Sequence, residues 1–217
     1  MFEVLIQYKY LFLTGFLTTI KLWALIILVG VPFGILFGVI GGRYSKTFNK
    51  IVSSLKFITK VIPVLVLLFW LHYPFQAILG IVINPFWTTV IALGFVNLIA
   101  VAFIIQSELK LLPVAYREAG MTLGMSKKQI VRHIELPILM KRVLPNISLN
   151  QATMLEYTLF ASLISVPELF RVAQSINAMV YDPVSVYSLL VLFFVIILIP
   201  LHLFITWYKK RSVIEYD

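Results

Sequence analysis

From Val184 to Trp207 the chain runs without a single lysine, arginine, aspartate or glutamate. A stretch of that length has one stable home, a helix across a lipid bilayer, where each backbone N–H and C=O is satisfied internally. Four further apolar stretches pass the test of length, at about 13–41, 58–72, 86–108 and 147–166. Only 12% of the 217 residues are charged, against about 25% in soluble domains, so no large soluble domain fits. The expectation is one all-α integral membrane domain over residues 1–217 with five transmembrane helices. Pro74 and Pro85 bracket the apolar segment 73–85, which reads as a short external loop or half-buried turn. Glu3 and the lack of a small-residue cleavage site argue against a removable leader, so the first span is expected in the mature protein.

Charge sets the expected orientation. All of the 18 basic residues except Lys9, Lys21 and Arg171 fall in three segments: Arg43 to Lys60, Lys110 to Arg142, and Lys209 to Arg211. Positive loops stay cytoplasmic, which places the N-terminus outside and the C-terminus inside, a parity that five spans satisfy. Cations lodged between apolar runs do not make the basic face that nucleic acid requires, despite the net charge of +9. The chain has no cysteine, which excludes disulfides and thiolate chemistry, and His72, His133 and His202 lie in separate segments without metal-ligand spacing.

The segment from about 109 to 146 is too long for a simple connection and carries its own helical punctuation. Pro113 can open a helix over Val114–Leu123, and Gly124 can end it in a left-handed cap. Ser126 and Gln129 fit a capping box for a second helix whose apolar Ile130, Val131 and Ile134 share a face, and Pro137 is expected to stop it. Helix, glycine corner and helix would form a small cytoplasmic knob with an apolar seam and a basic rim.

The string Glu118-Ala119-Gly120, then Gly124, then Ile134-x-Leu136-Pro137 resembles the E-A-A-x-x-x-G-(nine residues)-I-x-L-P loop of ABC importer permeases, with Gly120 in place of the second alanine. Gly15, Thr19 and the glycines at 30, 34 and 38 resemble the first span of the polar amino-acid uptake family, the histidine, glutamine and arginine type. Val166, Glu168, Leu169, Ala173, Gln174 and Ile176 are similar to its V-x-E-L-x-x-x-A-Q-x-I external segment. The resemblance covers nearly the whole chain. It implies a type I importer permease in a bacterial cell membrane, with Glu118, Ala119, Gly120 and Gly124 in the docking loop. Met125, Ser126, Lys127, Lys128, Gln129 and Arg132 would belong to the coupling helix. The implied partners are two ATPase subunits, a second permease copy or paralogue, and an extracytoplasmic substrate-binding protein. No G-x-x-x-x-G-K-[ST] loop occurs in the chain, so ATP and Mg are expected on the partner ATPases, with no cofactor and no catalytic residue here.

Within the spans, Gly30, Gly34, Gly38 and Gly42 form a four-residue ladder on one helix face, read as a packing surface between helices of the same chain rather than between subunits. Glu156 is the formal charge near the middle of a predicted span, where an acid costs roughly 2.5–3.5 kcal/mol. It is read as ligand-facing, the alternative being a protonated or internally paired structural glutamate. Further pathway candidates able to hydrogen-bond a zwitterion are Asn97, Gln106, Asn150, Gln151 and Thr158, each of which could instead tie helices together. Against the family's R-G-T-P and A-E-x-x-R segments the chain has Lys60-Val61-Ile62-Pro63 and Ala102-Phe103-Ile104-Ile105-Gln106. The expected function is the permease half of an ATP-driven importer for a polar amino acid or derivative. The rival is an ATP-independent transporter or channel, which predicts an internal repeat that the sequence lacks.

Overall fold

The computed structural model describes residues 1–43 and 46–212 and, among these, is built from helices alone. They are α1 (Phe2–Arg43), α2 (Lys46–Val61), α3 (Val64–His72), α4 (Pro74–Leu79), α5 (Pro85–Lys110), α6 (Val114–Thr122), α7 (Lys127–Ile130), α8 (Leu136–Tyr157), α9 (Leu169–Val180) and α10 (Pro183–Ser212). α1, α5 and α10 are each long and apolar enough to cross a membrane. Two bent pairs, α2 with α3–α4 at 95° and Lys127–Ile164 with α9 at 51°, complete the five expected spans if each pair is one crossing.

α5 is the central helix. Most of its residues from Thr88 to Gln106 are buried, whereas α10 keeps much of its apolar surface outward, as a lipid-facing helix should. The glycine ladder explains why α1 lies so close to α5. A Cβ at Gly34 would stand 2.6 Å from Val101 Cβ and 2.9 Å from the Leu98 carbonyl; one at Gly38 would meet Ile105 Cβ at 2.6 Å. Only glycine permits that approach, and the contacts are within the chain, as the sequence implied. α1 and α9 are tied likewise: Thr19 Oγ1 on α1 accepts from the Leu169 N–H at 3.0 Å, and a Cβ at Gly15 would meet Val172 Cγ2 at 2.9 Å.

Three local expectations need correction. The span at 58–72 is broken at Ile62–Pro63, because the residue before a proline is driven out of helical geometry and the proline has no N–H to continue the ladder. The external loop at 73–85 contains helix α4, with Pro74 at the first helical position, where a missing N–H costs nothing, and Gly80 ending it at φ 64°. Pro137 does not stop the knob's second helix. A π-helical turn, Val131–Glu135, widens the ladder so that the Leu136 N–H reaches the Val131 carbonyl, and the chain runs on into α8 with the proline in its first turn. Beyond Tyr157 it tightens into a 3-10 turn, Thr158–Ile164, which ends at Ser165 with φ 69°.

Candidate functional site

The segment 114–135 forms a projecting corner. α6 ends at Leu123, and Gly124 (φ 74°) turns the chain with open space around its α-carbon. Ser126 Oγ accepts from the Gln129 N–H at 3.3 Å while Gln129 Oε1 accepts from the Ser126 N–H at 2.8 Å, so the capping box is complete. Gly120 is buried where a Cβ would stand 2.8 Å from Ile130 Cγ1, which folds α6 onto α7. The outer surface is left free: Glu118, Ala119, Gly124, Ser126, Lys127, Lys128, Gln129 and Arg132 are exposed, and Met125 is half-buried.

What holds this corner to the membrane-embedded helices is a residue that sequence reasoning missed. Glu135, 6% exposed, sits on the π-helical turn and pairs with Arg43 at the end of α1 and with Arg117 of α6, whose Nη2 and Nε donate to Oε1 at 2.9 and 3.1 Å. One carboxylate taking two guanidinium groups satisfies its lone pairs and neutralises what would be a costly lone buried charge. The signal available in the sequence was an acid four residues before Leu139, one of two with Glu118 in a loop rich in cations. Beside it lies an open cavity of about 530 Å³ whose lining includes Arg43, Arg117, Lys127 and Lys128.

The pathway candidates separate into different environments. Asn97, Gln151 and Asn150 join into one network. Asn97 Nδ2 donates to Gln151 Oε1 at 2.9 Å and to the Ile26 carbonyl at 3.2 Å, and its Oδ1 accepts from Asn150 Nδ2 at 2.7 Å and Gln151 Nε2 at 3.1 Å. With Trp23 Nε1 donating to the Gln151 carbonyl at 2.8 Å, the network ties α1, α5 and α8 together. Gln106 is buried with both amide atoms unpartnered, packed where a Cβ at Gly41 would meet its Nε2 at 2.3 Å. Thr158 is buried and donates to the Leu155 carbonyl at 2.6 Å. Glu156 lies on an exposed face of α8.

Asn150 borders a cavity. The cavity, of about 280 Å³, opens where the α2–α3 break faces α5 and α8; Lys56, Thr59, Lys60, Thr153 and Tyr157 line it with Asn150, over an apolar floor that includes Val96 and Ala100. Val96 and Ala100 fall midway along α5, so the cavity sits at mid-depth of the central span. No acidic side chain lines it. The first turn of α3 begins beside it without a side-chain cap.

At the break between the 3-10 turn and α9, Glu168 caps α9. Its carboxylate accepts from the Phe170 and Arg171 N–H groups at 2.9 and 2.7 Å.

Comparison with known proteins agrees with this geometry. Residues 30–212 match the family described as binding-protein-dependent transport system inner membrane component. The glutamine transport system permease protein GlnP of Escherichia coli (strain K12) is 25% identical over 196 residues, 88% of each chain. The L-cystine transport system permease protein TcyB of Bacillus subtilis (strain 168) is 35% identical over 125 residues, 57% of this chain and 53% of that one. A crystal structure of an amino acid ABC transporter with histidines superposes with a TM-score of 0.86 at 24% identity, covering 97% of this chain and 98% of that one.

Proposed function

Since the chain belongs to the binding-protein-dependent transport system inner membrane component family, non-catalytic multi-pass permease subunits of ABC transporters, we propose that it forms half of the pathway of an ATP-driven importer for a polar amino acid or derivative. Residues 1–217 act as one domain with the N-terminus outside and the C-terminus inside. A second copy or a paralogue completes the pathway, two ATPase subunits bind ATP and Mg, and an extracytoplasmic binding protein delivers the cargo. The transport systems named for the relatives, glutamine and L-cystine, support the amino-acid class.

The observation that carries the proposal is the 118–132 surface: exposed, basic and apolar along one corner, yet bound through Glu135 to the end of α1. When the ATPase subunits close, a corner attached in this way moves α1 and α8 with it, and two such half-pathways would alternate between inward and outward access as rigid bodies. The chain has no cysteine, so single substitutions give unambiguous cross-links. Cysteine at Lys127 or Gln129, joined by a short bifunctional reagent in native membranes, is expected to trap an ATPase in a nucleotide-dependent manner. If neither position yields an ATPase adduct, coupling through this corner is wrong.

A further inference from the structure

The mid-depth cavity has a charge that nothing in its surroundings balances. Lys56 and Lys60 stand one helical turn apart at the end of α2, on the same side, and both line it. Among the described residues neither has a carboxylate partner: the ion pairs there are those of Glu135 with Arg43 and Arg117. The other polar lining groups, Thr59, Asn150, Thr153 and Tyr157, are neutral donors and acceptors. Lys56 is half-buried and Lys60 exposed, so the pair brings two positive charges to a cavity floored by Val96 and Ala100, and in membrane proteins such groups mark solute paths. Glu156, the acid the sequence offered for a cationic group, points from an exposed face of α8 and is not in the lining.

We infer that this cavity is the cargo site of each permease copy and that it selects a small solute of net negative charge, an amino acid with a second carboxylate. One lysine takes the α-carboxylate and the other the side-chain carboxylate, while Asn150, Thr153 and Tyr157 offer oxygens to the α-ammonium group. The uncapped first turn of α3 adds partial positive charge of the same sign. A cationic cargo such as arginine would meet two like charges and no counter-ion. This inference rests on the importer reading and adds the class of cargo to it.

The test uses the whole complex, purified with its ATPase subunits and reconstituted in liposomes with its binding protein. ATP-driven uptake of radiolabelled L-glutamate, L-aspartate, L-glutamine, L-arginine and succinate is compared at saturating solute. The acidic amino acids should be carried fastest. Lys56→Gln combined with Lys60→Gln should lower glutamate uptake roughly tenfold or more relative to glutamine, since each lost charged hydrogen bond weakens the site substantially. Lys60→Arg, which keeps the charge, should retain most uptake. With one binding protein throughout, a changed glutamate-to-glutamine ratio belongs to the permease. Arginine carried as fast as glutamate, or a ratio untouched by the double substitution, overturns the charge assignment and leaves the importer reading intact. Succinate uptake without any amino-acid uptake upholds the cationic cavity and removes the amino-acid reading.

Discussion

Gly34 in the α1–α5 seam and Gly120 in the 114–135 corner are both glycines against which a branched side chain packs, but they are crowded by different things. A Cβ at Gly34 would collide with the backbone-proximal Cβ of Val101 and with the Leu98 carbonyl, inside two long helices that cannot part locally. A Cβ at Gly120 would meet only side-chain carbons of Ile130 and Ile134, on a short exposed segment. The seam is held by shape and by the Asn97–Gln151–Asn150 network; the corner is held by one carboxylate and two arginines. The first arrangement makes a rigid body. The second is a joint of a few strong bonds whose outer face is exposed.

The largest effect is expected where shape alone decides. Gly34→Ala should cost about 3 kcal/mol, at the upper end for overpacking, because relief requires moving α1 along much of its contact with α5. It should lower the unfolding temperature of the purified complex and its yield together. A variant that melts like the parent would show that the seam is looser than the Val101 and Leu98 distances imply.

Removing the corner's anchor should act differently. Glu135→Gln leaves Arg43 and Arg117 without their counter-ion; breaking a buried pair costs roughly 3–5 kcal/mol, and the half-exposed Arg117, free to turn to water, reduces this to about 2 kcal/mol. The expected result is local: faster amide exchange over residues 114–135, unaltered protection in α5, and uptake that falls while ATP hydrolysis continues. Exchange rising equally in α5 would mean that corner and seam are one cooperative unit, and the contrast between them would fail.

Legibility in the sequence follows the same division. The capping box at Ser126 and Gln129, the left-handed Gly124 and the glycine ladder were readable because each is set by neighbours within a few positions. Pro63 and Pro137 look alike in sequence but act differently: one breaks a span, the other follows a π-helical turn that carries Glu135, the partner of Arg43 92 positions away. Glu156 drew attention as a charge in an apolar stretch, yet helix rotation puts it on an exposed face while Lys56 and Lys60, read as loop cations, line the mid-depth cavity. Charge along the chain marks position in the membrane; only tertiary packing tells which side of a helix that charge occupies.

The smallest effect sharpens the comparison most, because it repeats the first substitution in the second region. Gly120→Ala restores the alanine of the resembled loop. In a helix it gains up to about 1 kcal/mol over glycine, and displacing Ile130 from its rotamer costs about the same. The two terms nearly cancel, so the unfolding temperature should stay within the scatter of the parent and uptake should be retained. If this alanine proved as damaging as the one at Gly34, Ile130 would be fixed as firmly as Val101. The corner would then be part of the rigid core, and an ATPase pressing on it would move the whole bundle without any give at the joint.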